Sequence, residues 1–145
     1  MWVYLYSMSE TRFRFDNSLT SEERFAFRTW IPNFCRALTA CHQQEILEFL
    51  SPAFIAKGFS EATLNRISFS MSMSSAARKI ARHHCFFSEL TISKKNGVIL
   101  ALGSYAETKN KALVLEGNMK LKVENQNQNF SLTEFGFFPR LRIIK

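Results

Sequence analysis

The chain has 145 residues, of which 46% are hydrophobic and 14% aromatic, and its 19 lysines and arginines exceed its 12 acids by seven charges. This is the length of one domain, and a domain of this size buries about 70% of its unfolded surface, so folding requires neither a disulfide nor a metal. The composition excludes a disordered chain, and since no run approaches ~18 apolar residues it also excludes a transmembrane helix.

The first residues, MWVYLYSM, are aromatic and apolar, and polar sequence follows from Ser9. They lack the basic start and cleavage site of a signal peptide. They predict either a first strand or the last turns of a membrane anchor, because aromatic residues favour the membrane interface. Residues 9–20 predict a linker or a short pairing segment. We therefore divide the chain into a tail, residues 1–19, and a single domain, residues 20–145.

The helical part starts at Thr20, because Thr20 and Glu23 have the spacing of a capping box. Apolar residues recur from there at three- and four-residue steps as far as Cys41, which is the period of a helix. Pro32 lies inside this pattern and predicts either a kink or a break followed by a fresh first turn.

Two further helical pieces follow. One contains Ile46 and closes at Ser51-Pro52, before a turn-rich segment over residues 53–59. Ser60 predicts the start of the next helix, which runs to Ala81. Its middle, SFSMSMSS, alternates like a strand, and we assign it to the helix because the helical pattern continues after it.

After His84 the period changes from 3.6 to 2, which predicts strands. Asn96-Gly97 is a hairpin signal, the polar run at 125–129 reads as a hairpin tip, and Pro139 is expected to end the last strand. The predicted strands cover residues 86–93, 98–107, 112–124 and 130–138.

Helices followed by an antiparallel meander define an α+β fold. Gly103, Gly117 and Gly136 lie inside strands and predict bulges that curve the sheet. N-terminal helices packed on a curved antiparallel sheet of about four strands form the cone of nuclear-transport-factor-2-like and cystatin-like domains.

The sequence offers little for a metal or a cofactor, and we expect neither. His83, His84 and Cys85 are consecutive, so their side chains point in different directions and one ion cannot bind all three. Cys35 and Cys41 lie on opposite sides of a continuous helix, so a disulfide would require the helix to break. Cys85 has apolar neighbours and is expected in the core.

Catalytic patterns are also missing from the sequence. Aspartate occurs once, at Asp16, and no Ser-His-Asp or Cys-His arrangement can be assigned by spacing. The strand glutamates each fall in a polar half of an alternation, so we expect them to face solvent and the protein not to be an enzyme. They are Glu89, Glu107, Glu116, Glu124 and Glu134.

The stretch AARKIARHHCFF, residues 76–87, carries the candidate interaction surface, although cations at a helix C-terminus are also favourable with its dipole alone. Basic residues are spread through the whole chain, so we do not expect nucleic acid as a partner. The candidate residues are Arg78, Lys79, Arg82, His83 and Phe87.

A basic helix end, AARKIAR, runs into Phe86-Phe87, and a strand, the turn Asn96-Gly97-Val98 and three more strands follow up to Phe138. In order and content this resembles the periplasmic domain of the TraE-like proteins of conjugation systems, which belong with the eighth VirB component of type IV secretion systems. Residues 34–52 match the first helix of that family more loosely.

The resemblance implies a scaffold at the periplasmic face of the bacterial inner membrane, with other secretion-channel subunits as partners and a weak homodimer or higher homo-oligomer. Family members have one N-terminal transmembrane helix, and MWVYLYSM would then be its remnant. The alternative is a small-molecule-binding or enzymatic cone with a phenylalanine-lined pocket, because the sequence has 15 phenylalanines.

Overall fold

The computed structural model describes residues 11–127 and 129–142, with side chains as far as residue 140. MWVYLYSM, expected to be a strand or an anchor remnant, lies outside the described residues. The helices are α1 (Ser21–Ala40), α2 (Gln43–Glu48), α3 (Arg66–Met73) and α4 (Ala76–Ile80). The strands are β1 (Arg12–Phe15), β2 (Leu50–Lys57), β3 (Leu64–Asn65), β4 (His83–Lys95), β5 (Val98–Lys109), β6 (Ala112–Gln126) and β7 (Asn129–Arg142).

The strands form one sheet in the order β1-β4-β5-β6-β7-β2-β3. Strands β4 to β7 are the predicted antiparallel meander, and the α+β class is confirmed. The sheet has seven strands rather than about four, because β1 joins one side parallel to β4, β2 joins the other parallel to β7, and β3 pairs with β2 at that edge. Residues 12–15 are therefore a pairing segment and not a linker.

Helix α1 begins with the predicted capping box. The Thr20 hydroxyl accepts a hydrogen bond from the Glu23 N–H at 3.1 Å, and the Glu23 carboxylate accepts one from the Thr20 N–H at 2.9 Å. The helix runs unbroken through Pro32, which cannot donate a backbone hydrogen bond. Its apolar face, including the fully buried Phe27 and Phe34, packs against the sheet and holds the helix in place.

The segment after α2 differs most from the prediction. Residues 50–57 form strand β2, where we expected the end of a helix and a turn-rich loop. This strand pairs in parallel with β7, with Ile55 opposite Glu134 and Ala56 opposite Phe135. Parallel partners this far apart in the sequence leave no local turn signal, which explains the error.

The predicted third helix is two short helices, and its predicted start at Ser60 is wrong. The Asn65 side chain accepts a hydrogen bond from the Ser68 N–H at 2.8 Å and begins α3. A second start follows at Ser75, whose hydroxyl accepts from the Arg78 N–H at 3.4 Å. Serine hydroxyls compete for backbone hydrogen bonds, so a serine-rich run breaks the helix.

Bulges shift the strand register at two of the three predicted glycines. The ladder between β4 and β5 shifts beside Gly103, and the ladder between β6 and β7 shifts at Gly117. A Cβ atom on Gly103 would lie 1.6 Å from the Glu89 carbonyl oxygen, so the two strands approach too closely there for any side chain. Gly136 lies in a regular stretch, and the bulged residue near it is Thr133.

Strand β7 continues through Pro139, contrary to the prediction. The pairing of β7 with β2 ends at Gly136, so Pro139 has a strand neighbour on one side, opposite Gly117 of β6. A proline is tolerated where one side of the strand is unpaired. The Asn96-Gly97 hairpin is confirmed, with both residues at positive φ as a type I′ turn requires.

Candidate functional site

The inner face of the sheet, which packs against α1, is covered by aromatic rings. Phe87 lies 5.3 Å from Tyr105 and 5.8 Å from Phe135 between ring centroids, and Phe34 of α1 lies 6.3 Å from Phe87. All four side chains are fully buried. At these distances the rings touch one another, so the protein's own side chains fill this part of the cone.

A ring from outside the regular elements completes this packing. Phe59, in the loop between β2 and β3, lies 4.7 Å from Phe135 and 5.4 Å from both Phe69 and Phe137, between centroids. Gly58 before it has φ +94°, and a Cβ there would lie 1.9 Å from the Phe137 carbonyl oxygen. The glycine lets the loop lie directly on β7, and Phe59 closes over the inner rings as a plug.

A buried polar network lies on the inner face next to the rings. The Arg78 guanidinium, on α4, donates to the Glu107 carboxylate at 2.9 Å, to the Cys85 sulfur at 3.3 Å and to the Met73 carbonyl at 3.2 Å. The Tyr105 hydroxyl donates to the other carboxylate oxygen of Glu107. Both oxygens of the carboxylate therefore have a donor, and the network ties α4 to β4 and β5.

Burial also keeps the thiol and the hydroxyl of this network protonated, and so unreactive as nucleophiles. Burial raises the pKa of the Cys85 thiol and that of the Tyr105 hydroxyl, so both stay protonated at neutral pH. Burial also raises the pKa of Cys35 to about 12. A thiol needs to be a thiolate to attack a substrate, so these cysteines lack the electrostatic setting of a nucleophile.

The structure separates the five residues of the candidate interaction surface. Phe87 is fully buried among the inner rings, so the prediction is wrong for this residue. Arg78 is partly exposed and forms an ion pair with Glu107. Lys79 and Arg82 are exposed and His83 is half-buried. Burial, followed by the charge of Arg78, lowers the pKa of His83, so its imidazole is neutral at pH 7.

Glu107 was expected to face solvent and is 3% exposed. A signal for its burial was present, because Tyr105 and Glu107 are two residues apart and so share one face of β5. The expectation that Cys85 lies in the core is confirmed. All three cysteines are free, and the described residues contain no group of three or more His, Cys, Asp or Glu placed to hold a metal ion.

The outer face of the meander, on the opposite side from α1, carries two neighbouring grooves of about 500 and 390 Å³. Ser104 lines both of them. Leu102 and Phe138, which line the larger groove, are 47% and 58% exposed. Phe86 lines the smaller groove, as expected from its position one residue before the buried Phe87. Sequence reasoning missed this face, since isolated apolar residues in polar half-strands gave no clear signal.

No helix in the described ranges is both long and apolar enough to cross a bilayer. No protein-family model matches the chain, and no curated protein matches it.

Solved structures with the same architecture exist. A Nostoc punctiforme protein of unknown function with a cystatin-like fold aligns with a TM-score of 0.71 at 11% identity, over 87% of this chain and 97% of its own. A nuclear-transport-factor-2-like protein from Novosphingobium aromaticivorans aligns at 0.70 and 9%, over 80% of each chain. A Xanthomonas campestris protein described as a calcium/calmodulin dependent protein kinase II association domain aligns at 0.65 and 10%, over 92% and 98%. The fold is the expected cone.

Proposed function

We propose that this chain is a non-catalytic assembly domain that associates with a second copy of itself through the outer face of its sheet. We further propose that it serves as a scaffold of a type IV secretion or conjugative transfer channel, at the periplasmic face of the inner membrane. The observation that carries the proposal is the contrast between a ring-filled cone and an open outer face with exposed Leu102 and Phe138.

The outer face has the chemistry of a protein contact. Exposed apolar side chains that lie together in a groove, with charged residues around them, are typical of interaction sites. Leu102 and Phe138 supply the apolar part, and Glu89 and Lys120 line the same groove. Lys120 also pairs with Glu134 at 3.1 Å, which fixes its position on the face.

The charges on this face complement a second copy of it. In a two-fold dimer the same patch serves both partners. Strands β4 and β6 flank β5, so an axis along β5 in the plane of contact brings β4 of one copy opposite β6 of the other. Thr91 then lies level with Lys120 of the partner copy, and Glu89 lies one same-face position along β4 from that level. The same axis places Leu102 against its symmetry mate. The face is therefore self-complementary in charge and in hydrophobicity.

The channel assignment rests on the resemblance of residues 76–138 to the TraE-like proteins. That resemblance implies other secretion-channel subunits as further partners. One structural neighbour is described as an association domain, which illustrates that this fold serves assembly in another protein. The packing of Phe59 and the inner rings counts against the alternative of a small-molecule or enzymatic pocket in the cone.

Site-specific photo-crosslinking in the native cell tests the proposal. A photoreactive residue at Phe138 on the outer face is expected to crosslink to a second copy of this chain, whereas one at Phe25, which is 73% exposed on α1, is not. Neighbouring genes for channel subunits, and crosslinks from the domain to those subunits, are expected under the channel assignment. Equal self-crosslinking at both positions, or none from position 138, would contradict the self-association.

A further inference from the structure

One end of the cone presents cations from two separate segments. Between Glu61 and Glu89 the sequence contains no acidic residue, and it includes the exposed Lys79 and Arg82. The end of β5 adds Lys109 and the turn after it adds Lys111, and the sequence from residue 108 to 115 is also free of acids. These two segments lie about 30 residues apart in the chain. Their cations form one group only because the fold brings the segments together.

The fold joins them through a backbone hydrogen bond. The Asn110 N–H, at the tip of the turn, donates to the Ala81 carbonyl at the end of α4, at 3.0 Å. The first pair of the ladder between β4 and β5 sets His83 opposite Lys109. The charge of Lys109 contributes to the lowered pKa of His83, which is consistent with their proximity. The four cations therefore share one end of the molecule.

Residues 62–88 and 108–115 contain no acid, and Glu116, which lines the smaller groove with Lys111, lies 4.0 Å from the Arg140 guanidinium. Glu107 is the nearest acid in the β5 sequence, and its carboxylate is buried and bound by Arg78 and Tyr105. Burial and the charge of Arg78 lower the pKa of His83, so this imidazole adds little charge at pH 7. We call the set Lys79, Ile80, Arg82, Lys109 and Lys111 the basic end.

An apolar side chain sits among these cations. Ile80, between Lys79 and Arg82, is 80% exposed, which is a high value for an isoleucine. An isoleucine adds nothing to phosphate contacts along a nucleic acid, where donors are needed. Next to a membrane it enters the boundary between headgroups and acyl chains while the lysines and arginine stay at the anionic headgroups.

We infer that the basic end is a docking surface for an anionic lipid bilayer, with Ile80 inserted and the four cations on the headgroup phosphates. This goes beyond the proposed scaffold function, and Lys111 is the member of the basic end that also lines the smaller outer-face groove. Each lysine or arginine at an anionic membrane surface strengthens binding by about fivefold. Four such charges with one inserted isoleucine give peripheral and reversible binding, which depends on salt.

Vesicle cosedimentation with the full chain tests the inference. The probes are phosphatidylcholine vesicles with and without phosphatidylglycerol, at low and at physiological salt. We expect binding to the anionic vesicles that weakens with salt, and little binding to the neutral ones. The double variant Lys79→Gln/Arg82→Gln should lose about 25-fold, as two charges at about fivefold each. Ile80→Ser should lose about tenfold, because its side chain no longer enters the apolar layer.

Two matched variants separate this surface from general effects. Arg12→Gln/Arg14→Gln removes two exposed cations from β1, and Phe25→Ser removes an exposed apolar side chain from α1. Both should retain most of the vesicle binding. All substituted side chains are exposed, so the variants keep their fold, which circular dichroism verifies.

Three outcomes would overturn the inference. Equal losses in the β1 double variant would mean that net charge alone drives binding. Absence of binding to anionic vesicles would remove the surface altogether. Binding to duplex DNA that depends on Lys79 and Arg82 but not on Ile80 would assign this end to nucleic acid. Outer-face variants that lose self-association but bind vesicles normally would show that the two surfaces are independent.

Discussion

The two faces of the meander are made by the same strands and differ in almost every physical respect. On the inner face, Phe87, Tyr105 and Phe135 are fully buried and touch one another. On the outer face, Leu102 and Phe138 are about half exposed and line an open groove. Side chains alternate between the two faces of a strand, so neighbouring residues lie one in the core and the next on the open surface.

This difference teaches where to look for function. Cone folds can hold a ligand in their interior, and here aromatic side chains occupy the part of that space around Phe135, including the plug Phe59. The outer face and the basic end are two surfaces of the described residues that remain open. Substitutions on the inner face should therefore change stability, and substitutions on the open surfaces should change binding.

The largest effect is expected for Phe87→Ala on the inner face. Removing a fully buried ring leaves a cavity and should lower the free energy of unfolding by about 3–5 kcal/mol. Phe86→Ala, one residue earlier on the outer face, should cost less than about 1 kcal/mol. Urea denaturation measures both, and similar losses in the two variants would contradict the assignment of the faces.

The buried ion pair on the inner face should give the next largest effect. Glu107→Ala leaves the Arg78 guanidinium buried without its partner, and we expect a loss of about 3 kcal/mol. The double variant Arg78→Met/Glu107→Leu should recover much of it, because no unpaired charge remains. Urea denaturation measures the loss. If Glu107→Ala has the same midpoint urea concentration as the wild type, the network does not hold α4 to the sheet.

The third prediction concerns Gly103, where strands β4 and β5 approach closely. Gly103→Ala places a Cβ on the Glu89 carbonyl and should destabilise the fold by about 1–3 kcal/mol as the bulge shifts. Gly136→Ala is the matched control, since its nearest atoms lie at 3.9 Å, and it should be close to neutral. Thermal denaturation distinguishes the two, and equal melting temperatures would argue against the bulge geometry.

A pH effect is expected where α1 meets the sheet. Burial raises the pKa of Glu23, but hydrogen bonds from Lys94, Thr20 and Asn125 outweigh it, and the net pKa lies below the ordinary 4.5. A carboxylate with a lowered pKa in the folded state stabilises the fold above its unfolded pKa. This contribution is lost as pH falls below about 4.5 through the folded pKa. Glu23→Gln should flatten stability against pH in that acid range, and Glu124→Gln, an exposed control, should leave it unchanged.

Sequence reasoning succeeded where the signals are local. The capping box of Thr20 and Glu23, the Asn96-Gly97 turn and the alternation of the four meander strands each depend on neighbours in the chain. The parallel strands β1 and β2 were missed or left open, since their partners β4 and β7 are far away in sequence.

The site was less predictable than the fold for the same physical reason. Phe87 and Arg78 lie in a basic stretch whose composition is typical of a protein surface. Phe87 is covered by Phe34 of α1, and Arg78 is held by Glu107 of β5. Of the basic end, Lys79 and Arg82 were identified from the sequence as candidate interaction residues. Its other half, Lys109 and Lys111, joins it through the contact of Asn110 with Ala81, which a linear reading does not contain.

Sedimentation velocity over a concentration series tests the central claim most directly. It compares the wild-type chain with Leu102→Ser/Phe138→Ser on the outer face and with Phe25→Ser as an exposed apolar control on α1. We predict a reversible dimer for the wild type and for the control, and a monomer for the outer-face variant, whose stability should change by less than about 1 kcal/mol. A monomer at every concentration for all three, or undiminished association of the outer-face variant, would contradict the account.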